Sequence, residues 1–230
     1  MKKETTQHSD PEIKIENAIT QTESFIERNS KKLTIILAVA VVLAIAIFGY
    51  THFYKIPRQA KASVAAYVAE QYFAQDSLSL ALNGDGSNDG FIAVVDQYGS
   101  TPTGNLAAHY AGICFLKLGD YESAMTYLKK YKDVDGDAAA IINAQNKGLI
   151  GDVYSQKKDY KNAISLYEKA IAASDNMLTA PIYLKKSGLI YEEQQDFGKA
   201  LECYQKIKTT YFNSMEARDI DKYIARLQQK

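Results

Sequence analysis

Apolar residues are distributed along this chain in two different ways, and each predicts its own kind of element. Between Leu33 and Phe48 the run "LTIILAVAVVLAIAIF" carries no charge and one polar side chain, Thr34, and Gly49 and Tyr50 extend it. About eighteen such residues are what a helix needs to span a bilayer. Beyond Lys55 the apolar positions become small and aromatic residues at helical spacing, the pattern of helices that bury one stripe and wet the other.

The flanks of the run match a membrane boundary. Lys31 and Lys32 end it on one side, while Tyr50, His52, Phe53 and Tyr54 on the other form an amphipathic aromatic belt before Lys55. A polar segment of 32 residues precedes the run and bulky residues follow it. Neither fits a cleaved secretory signal, so an uncleaved anchor is expected. Orientation is tied by charge: Arg28, Lys31 and Lys32 face Lys55, Arg58 and Lys61. Upstream, "IKIENAITQTESFIERN" places Ile15, Ala18, Ile19, Thr22, Phe25 and Ile26 at helical spacing. An amphipathic helix resting on the headgroups is expected there.

The rest of the chain repeats itself. "GICFLKLGDYESAMTYL" from Gly112, "GDVYSQKKDYKNAISLY" from Gly151 and "GLIYEEQQDFGKALECY" from Gly188 align without gaps. Each glycine is followed by an aromatic (Phe115, Tyr154, Tyr191) and an Asp (Asp120, Asp159, Asp196). A second aromatic (Tyr121, Tyr160, Phe197), an alanine (Ala124, Ala163, Ala200) and a large closing residue (Leu128, Tyr167, Tyr204) complete the pattern. Glycine inside a helix costs about 1 kcal/mol relative to alanine, so three in one register imply close helix approach. The Asp at the turn is positioned to cap the second helix of a hairpin.

Two flanking segments extend the pattern. "PRQAKASVAAYVAEQYFAQDSLSLAL" and "DGFIAVVDQYG", joined by "NGDGSND", have the composition of a degenerate hairpin, with Tyr67, Tyr72 and Phe73 on the first helix and Phe91, Val94, Val95 and Tyr98 on the second. In "SMEARDIDKYIARL", Ala217, Ile220, Ile224 and Leu227 follow Ser214 as the expected N-cap of a closing helix. The predicted organisation is therefore an N-terminal segment with a short amphipathic helix (1–32), a spanning helix (33–54), a linker helix with the degenerate hairpin (55–104), three repeats (105–212) and a capping helix (213–230). The fold class is all-α: one transmembrane helix followed by an α-solenoid.

Charge and motifs narrow the function classes. Basic and acidic residues balance at 27 each, so no basic field recruits nucleic acid. Cys114 and Cys203 are isolated and sit among apolar neighbours, as buried free thiols do. Counted from Asn83 and Asp133, "NGDGSND" and "DVDGD" place Asn88 and Ala138 where a calcium loop needs its glycine, and Val94 and Ala144 where it needs its glutamate. No phosphate loop, HExxH or GxSxG is present, and His8, His52 and His109 are scattered. No catalytic, cofactor-binding or metal site is expected, and the chain reads as a non-enzyme.

The order of small residue, aromatic, alanine and bulky residue resembles the tetratricopeptide repeat. The copies are longer than the usual 34 residues and lack the proline that closes each unit, so an irregularly wound stack is expected. The resemblance implies a concave face lined by the first helix of each pair. Carried over, it comprises Leu106, His109, Ile113, Leu116 and Lys117; then Gln145, Asp152, Ser155 and Gln156; then Ile182, Lys185, Leu189, Glu192 and Glu193. The repeat-forming residues are Gly112, Ala124, Gly151, Ala163, Gly188 and Ala200.

The whole layout resembles the YfgM family, ancillary subunits of the bacterial Sec translocon. The resemblance rests on "FIERNSKKLTIILAVAVVLAIAIFGYTHFY", on "STPTGNLAAHYAGICFLKLGDYESAM" and on "EARDIDKYIARL". It implies an inner-membrane protein, single-pass through Leu33 to Tyr54, with a cytoplasmic N-terminus and periplasmic repeats. Its implied partners are translocon subunits, a membrane-anchored peptidyl-prolyl isomerase or other folding factors, and unfolded clients. The residues alone leave open an adaptor for another envelope complex, in cell-wall or division machinery, and a receptor whose repeats face the cytoplasm.

Overall fold

The computed structural model describes residues 11–228, and the chain divides into two compact units, 1–57 and 58–230. In the first unit α1 (Pro11–Tyr50) ends in a π-helical turn, Thr51–Lys55. Among the described residues one helical stretch, beginning at Phe25, is long and apolar enough to cross a membrane, and none of its most apolar window is buried. The belt rings stack within the turn, Phe48 on His52 at 5.6 Å and Tyr50 on Tyr54 at 5.3 Å. Phe25 and Ile26 of the predicted amphipathic stripe are exposed; the side chains of Ile15, Ala18 and Ile19 lie outside the described residues, as does His8.

The second unit is a stack of helices. α2 (Ile56–Ala74), α3 (Leu78–Asn83) and α4 (Phe91–Tyr98) come first. Three hairpins follow: α5 (Pro102–Lys117) with α6 (Tyr121–Lys130), α7 (Asp137–Gln156) with α8 (Tyr160–Ala173), and α9 (Ala180–Glu193) with α10 (Phe197–Thr210). A 3-10 turn, Glu216–Arg218, leads into α11 (Ile220–Leu227). The core is a series of clusters, from Ala66, Phe91 and Ala111 through Val153 and Tyr167 to Tyr204 and Ile220. Each hairpin thus contacts its neighbours, which is how a solenoid buries its faces.

The repeated residues build the hairpins. The peptide N–H of Asp120 donates to the Phe115 carbonyl at 3.0 Å, closing the end of α5, while its carboxylate accepts from the Ser123 N–H at 3.0 Å to start α6. Asp159 and Asp196 repeat both bonds. This is a Schellman end joined directly to an N-cap. It forces the preceding residue into the left-handed region: Gly119, Lys158 and Gln195 have φ of 82°, 59° and 62°. Each repeat glycine lies under the closing residue of its own hairpin. A Cβ on Gly112 would stand 2.5 Å from Leu128 and one on Gly151 2.7 Å from Tyr167 Cε1, and Gly188 meets Tyr204 alike. Ala124, Ala163 and Ala200 are fully buried.

The upstream hairpin departs from expectation. Its first helix stops at Ala74, because the repeat turn already occurs there: Asp76 has φ 56° and the Ser77 N–H donates to the Tyr72 carbonyl at 2.9 Å. Ala69, Tyr72, Ser77 and Ala81 hold the register of Gly112, Phe115, Asp120 and Ala124. The second helix is split into α3 and α4 by the "NGDGSND" loop, where Asp85 accepts from the Ser87 and Asn88 N–H groups and from the Tyr72 hydroxyl. Those bonds hold the Asp85 carboxyl well below its usual range. The closing helix also begins later than expected. Ser214 caps the 3-10 turn through Ala217 N–H, and α11 itself starts at Ile220, with Ile220, Ile224 and Leu227 buried.

First helices therefore all start at one edge of this unit and end at the other. Gln59 Nε2 donates to Thr103 Oγ1 at 2.7 Å at the starting edge, and Lys117 pairs with Asp76 at 2.8 Å at the turn edge. Lys157 with Glu122, and the Tyr160 hydroxyl with Glu193, extend the turn edge.

Candidate functional site: a groove across the first helices

A groove of about 520 Å³ crosses α5, α7 and α9. It gathers residues one, four or five positions after the repeat glycines, Ile113 and Glu192 excepted, all in the half of each helix nearer the turn edge. Of the residues expected on the concave face, Leu116, Lys117, Asp152, Ser155, Gln156, Leu189 and Glu193 line it, and Tyr121, Tyr167, Lys186 and Ile190 join them. Tyr167 and Ile190 are buried and form the floor, whereas Lys117, Gln156, Leu189 and Glu193 are exposed along the rim.

Asp152 organises the centre. Its carboxylate accepts from the Tyr167 hydroxyl at 2.8 Å and from Lys186 Nζ at 2.7 Å to each oxygen. Burial, then the Asp152 charge, push the Tyr167 hydroxyl well above its ordinary value, so it stays a donor. Lys186 also stands 5.9 Å over the Tyr167 ring and 5.8 Å over Tyr183, a geometry attractive to a cation. The central charges thus cancel, and on the rim Lys117 is paired with Asp76, Glu193 accepts from the Tyr160 hydroxyl, and Leu189 is exposed between polar neighbours. Such a lining suits an extended chain that presents spaced side chains and backbone polar groups.

The other residues of the expected concave face lie elsewhere. His109 is buried at 1% exposure rather than open to a partner. Its Nδ1 meets Asn146 Oδ1 at 2.9 Å and its Nε2 meets Gln145 at 3.4 Å, joining α5 to α7. Burial lowers its pKa despite those bonds. Leu106 and Ile113 are half-buried outside the groove, and Gln145 and Ile182 are exposed outside it. Lys185 bonds Asp219 at 2.8 Å, and Glu192 accepts from the Tyr204 hydroxyl and Arg226, each at 2.6 Å. Both are tied to the closing helix instead.

Sequence reasoning chose Lys185 over Lys186, two neighbours that a helix turns about 100° apart. It also read Tyr167 only as core filler. The position of Lys186, two before Gly188, was the available signal. Burial pushes the Cys114 thiol up to about 12 and Cys203 to about 11, which keeps both protonated and unreactive. Among the described residues no group of three or more His, Cys, Asp or Glu is placed to hold a metal ion.

Comparison with known proteins agrees with this architecture. Two tetratricopeptide-repeat models match, over residues 107–136 and 144–176. A Pyropia yezoensis protein called uncharacterized protein ycf37 is 30% identical over 99 residues, 43% of this chain, and the chain spans 54% of that relative's length. Among solved structures, the nearly identical TPR-like repeats of a Podosopora anserina protein described as a kinesin light chain superpose with a TM-score of 0.55 at 13% identity, over 74% of this chain and 86% of that one. MamA superposes with a TM-score of 0.51 at 15% identity, over 73% and 88%. The chain carries tetratricopeptide repeats in an all-helical solenoid, a fold whose concave surfaces bind other proteins.

Proposed function

We propose that this protein is a membrane-tethered scaffold that holds an extended segment of a protein partner in the groove between Leu116 and Glu193. In this reading it is an ancillary factor of the Sec translocon, linking secreted clients to periplasmic chaperones. The observation that carries the scaffold role is the groove itself, in which three repeats contribute equivalent positions around the Asp152–Lys186 pair. The translocon assignment is supported by the resemblance of the membrane segment, first repeat and C-terminal helix to the YfgM family. In this reading the N-terminus lies in the cytoplasm and the repeats in the periplasm.

Photocrosslinkers at Gln156 and Leu189 in native membranes test the partner. Translocon subunits or folding factors among the adducts are expected, and their absence would reject this role. Alkaline phosphatase fused after Lys230, active only outside the cytoplasm, tests topology. An inactive fusion would overturn the periplasmic placement.

A further inference from the structure

The two edges of the repeat unit show different surfaces to solvent. Near the turn edge the exposed large apolar side chains are Leu80 and Leu118, with Leu189 on the groove rim. At the starting edge three connections carry at least one, Val134 between α6 and α7, Met177 and Leu178 between α8 and α9, and Phe212 and Met215 after α10, while the short link Gly99–Thr101 between α4 and α5 carries none. Leu178, Phe212 and Met215 are exposed by 69%, 63% and 72%, far more than packing residues of a loop would be. The Tyr211 hydroxyl donates to Asp175, which ties the last two connections together.

The chain enters the repeat unit at this same edge. Arg58 donates to the Gln97 carbonyl at the end of α4, and Gln59 bonds Thr103 at the start of α5. Tyr54, the last aromatic of the belt, is four residues before Arg58, a reach of at most about 14 Å even when extended. A bilayer crossed by Leu33–Tyr54 therefore has its headgroups close to where α2 begins. Tethering makes further contact effectively intramolecular, so side chains of modest interfacial affinity suffice.

We propose that the starting edge of the solenoid lies on the lipid headgroup surface, with Leu178, Phe212 and Met215 as interfacial side chains. The inference rests on the reading of Leu33–Tyr54 as membrane-spanning, and not on which side the repeats occupy or what the groove holds. It gives the groove a position. The groove lies near the far ends of the first helices, on the side away from that edge.

The test uses the full chain in nanodiscs, one copy per disc, with single nitroxide labels introduced as Leu178→Cys, Phe212→Cys, Met215→Cys and, at the turn edge, Gln194→Cys. Power saturation with a water-soluble nickel relaxant is expected to find the three starting-edge labels several-fold less accessible than the Gln194 label. A label at Val42→Cys reports the span separately. If it is nickel-accessible, the spanning reading fails and the proposal with it. If it is in the acyl region while the starting-edge labels match Gln194, the proposal alone is overturned. Protection that appears only with two copies per disc would assign the edge to a second copy and also overturn it. The triple variant Leu178→Ser, Phe212→Ser, Met215→Ser, all at solvent-exposed positions and so compatible with folding, is expected to restore nickel access at a Val134→Cys label; unchanged protection there would overturn the assignment of these side chains to the interface.

Discussion

The middle repeat and the hairpin upstream of it share one backbone turn but fill it with different side chains. In the middle repeat Gly151 lies under Tyr167, Asp159 caps α8 and Ala163 is buried at the contact. Upstream, Ala69 occupies the glycine register, Ser77 stands at the cap without a side-chain bond to the helix, and Ala81 keeps the buried contact. The position corresponding to Tyr167 falls on Asp85, in a loop. The turn geometry therefore survives without its diagnostic residues, but the missing closing side chain has to be replaced. Phe91 of α4, fully buried against Phe73 and Tyr110, does this.

The largest effects test that equivalence. Truncating a buried aromatic costs about 3–5 kcal/mol, so Tyr167→Ala and Phe91→Ala should lower the stability of the full chain in detergent by comparable amounts in denaturant titrations. A Phe91→Ala cost several-fold below that of Tyr167→Ala would show that α4 does not complete the upstream hairpin.

The caps come next. Losing an N-cap side chain costs about 1 kcal/mol, so Asp159→Ala should destabilise by that amount. Ser77→Ala, where no side-chain cap bond exists, should be neutral within error. Equal losses would mean that the two turns are stabilised in the same way and that the comparison is wrong.

The same contrast explains what the sequence made legible. Three copies of glycine, aromatic, Asp and alanine in one register announced the hairpins, and the capping role of Asp120, Asp159 and Asp196 followed from local geometry alone. The upstream turn shared their spacing in Ala69, Tyr72, Ser77 and Ala81, yet each substitution hid it from a search for glycine and Asp. The groove was half legible for another reason. Most predicted positions after the glycines line it, but His109 and Lys185, three before their glycines, and Glu192, four after Gly188, are claimed by contacts distant in sequence: His109 by Asn146, Lys185 by Asp219, and Glu192 by Arg226. No periodicity within a repeat encodes which side chains the next helix or the closing helix will cover.

The junctions on the two sides of the first repeat should separate by pH. Between α2 and α5 the starting-edge pairs are an amide and hydroxyls, Gln59 and Ser63 with Thr103. Between α5 and α7 His109 is buried, packed by Tyr110 and Tyr131 and bonded to Asn146 and Gln145. Its pKa is lowered in the folded chain. The unfolded state then takes up a proton first, so this contribution is complete above the ordinary value of 6.5 and is lost as pH falls through the lowered folded value. Thermal melts from pH 7.5 to 5 should show a decline that His109→Gln reduces. An identical decline in the variant would place the titrating group elsewhere.

The smallest effect concerns the residue before each cap. Lys158 holds φ 59° where the first repeat has Gly119 and the upstream turn has Asp76. A left-handed conformation costs an ordinary side chain about 1–2 kcal/mol, and part of that gain is offset by the greater freedom of glycine in the unfolded chain, about 0.5–1 kcal/mol. Lys158→Gly should therefore stabilise by only about 0.5 kcal/mol, read as a small rise in denaturant midpoint. Asp76→Gly should give none, because Asp tolerates this conformation and its ion pair with Lys117 would be lost. A gain at Asp76 as large as at Lys158 would mean that side-chain identity at the two turns is immaterial, and that backbone geometry alone carries the repeat into its degenerate copy.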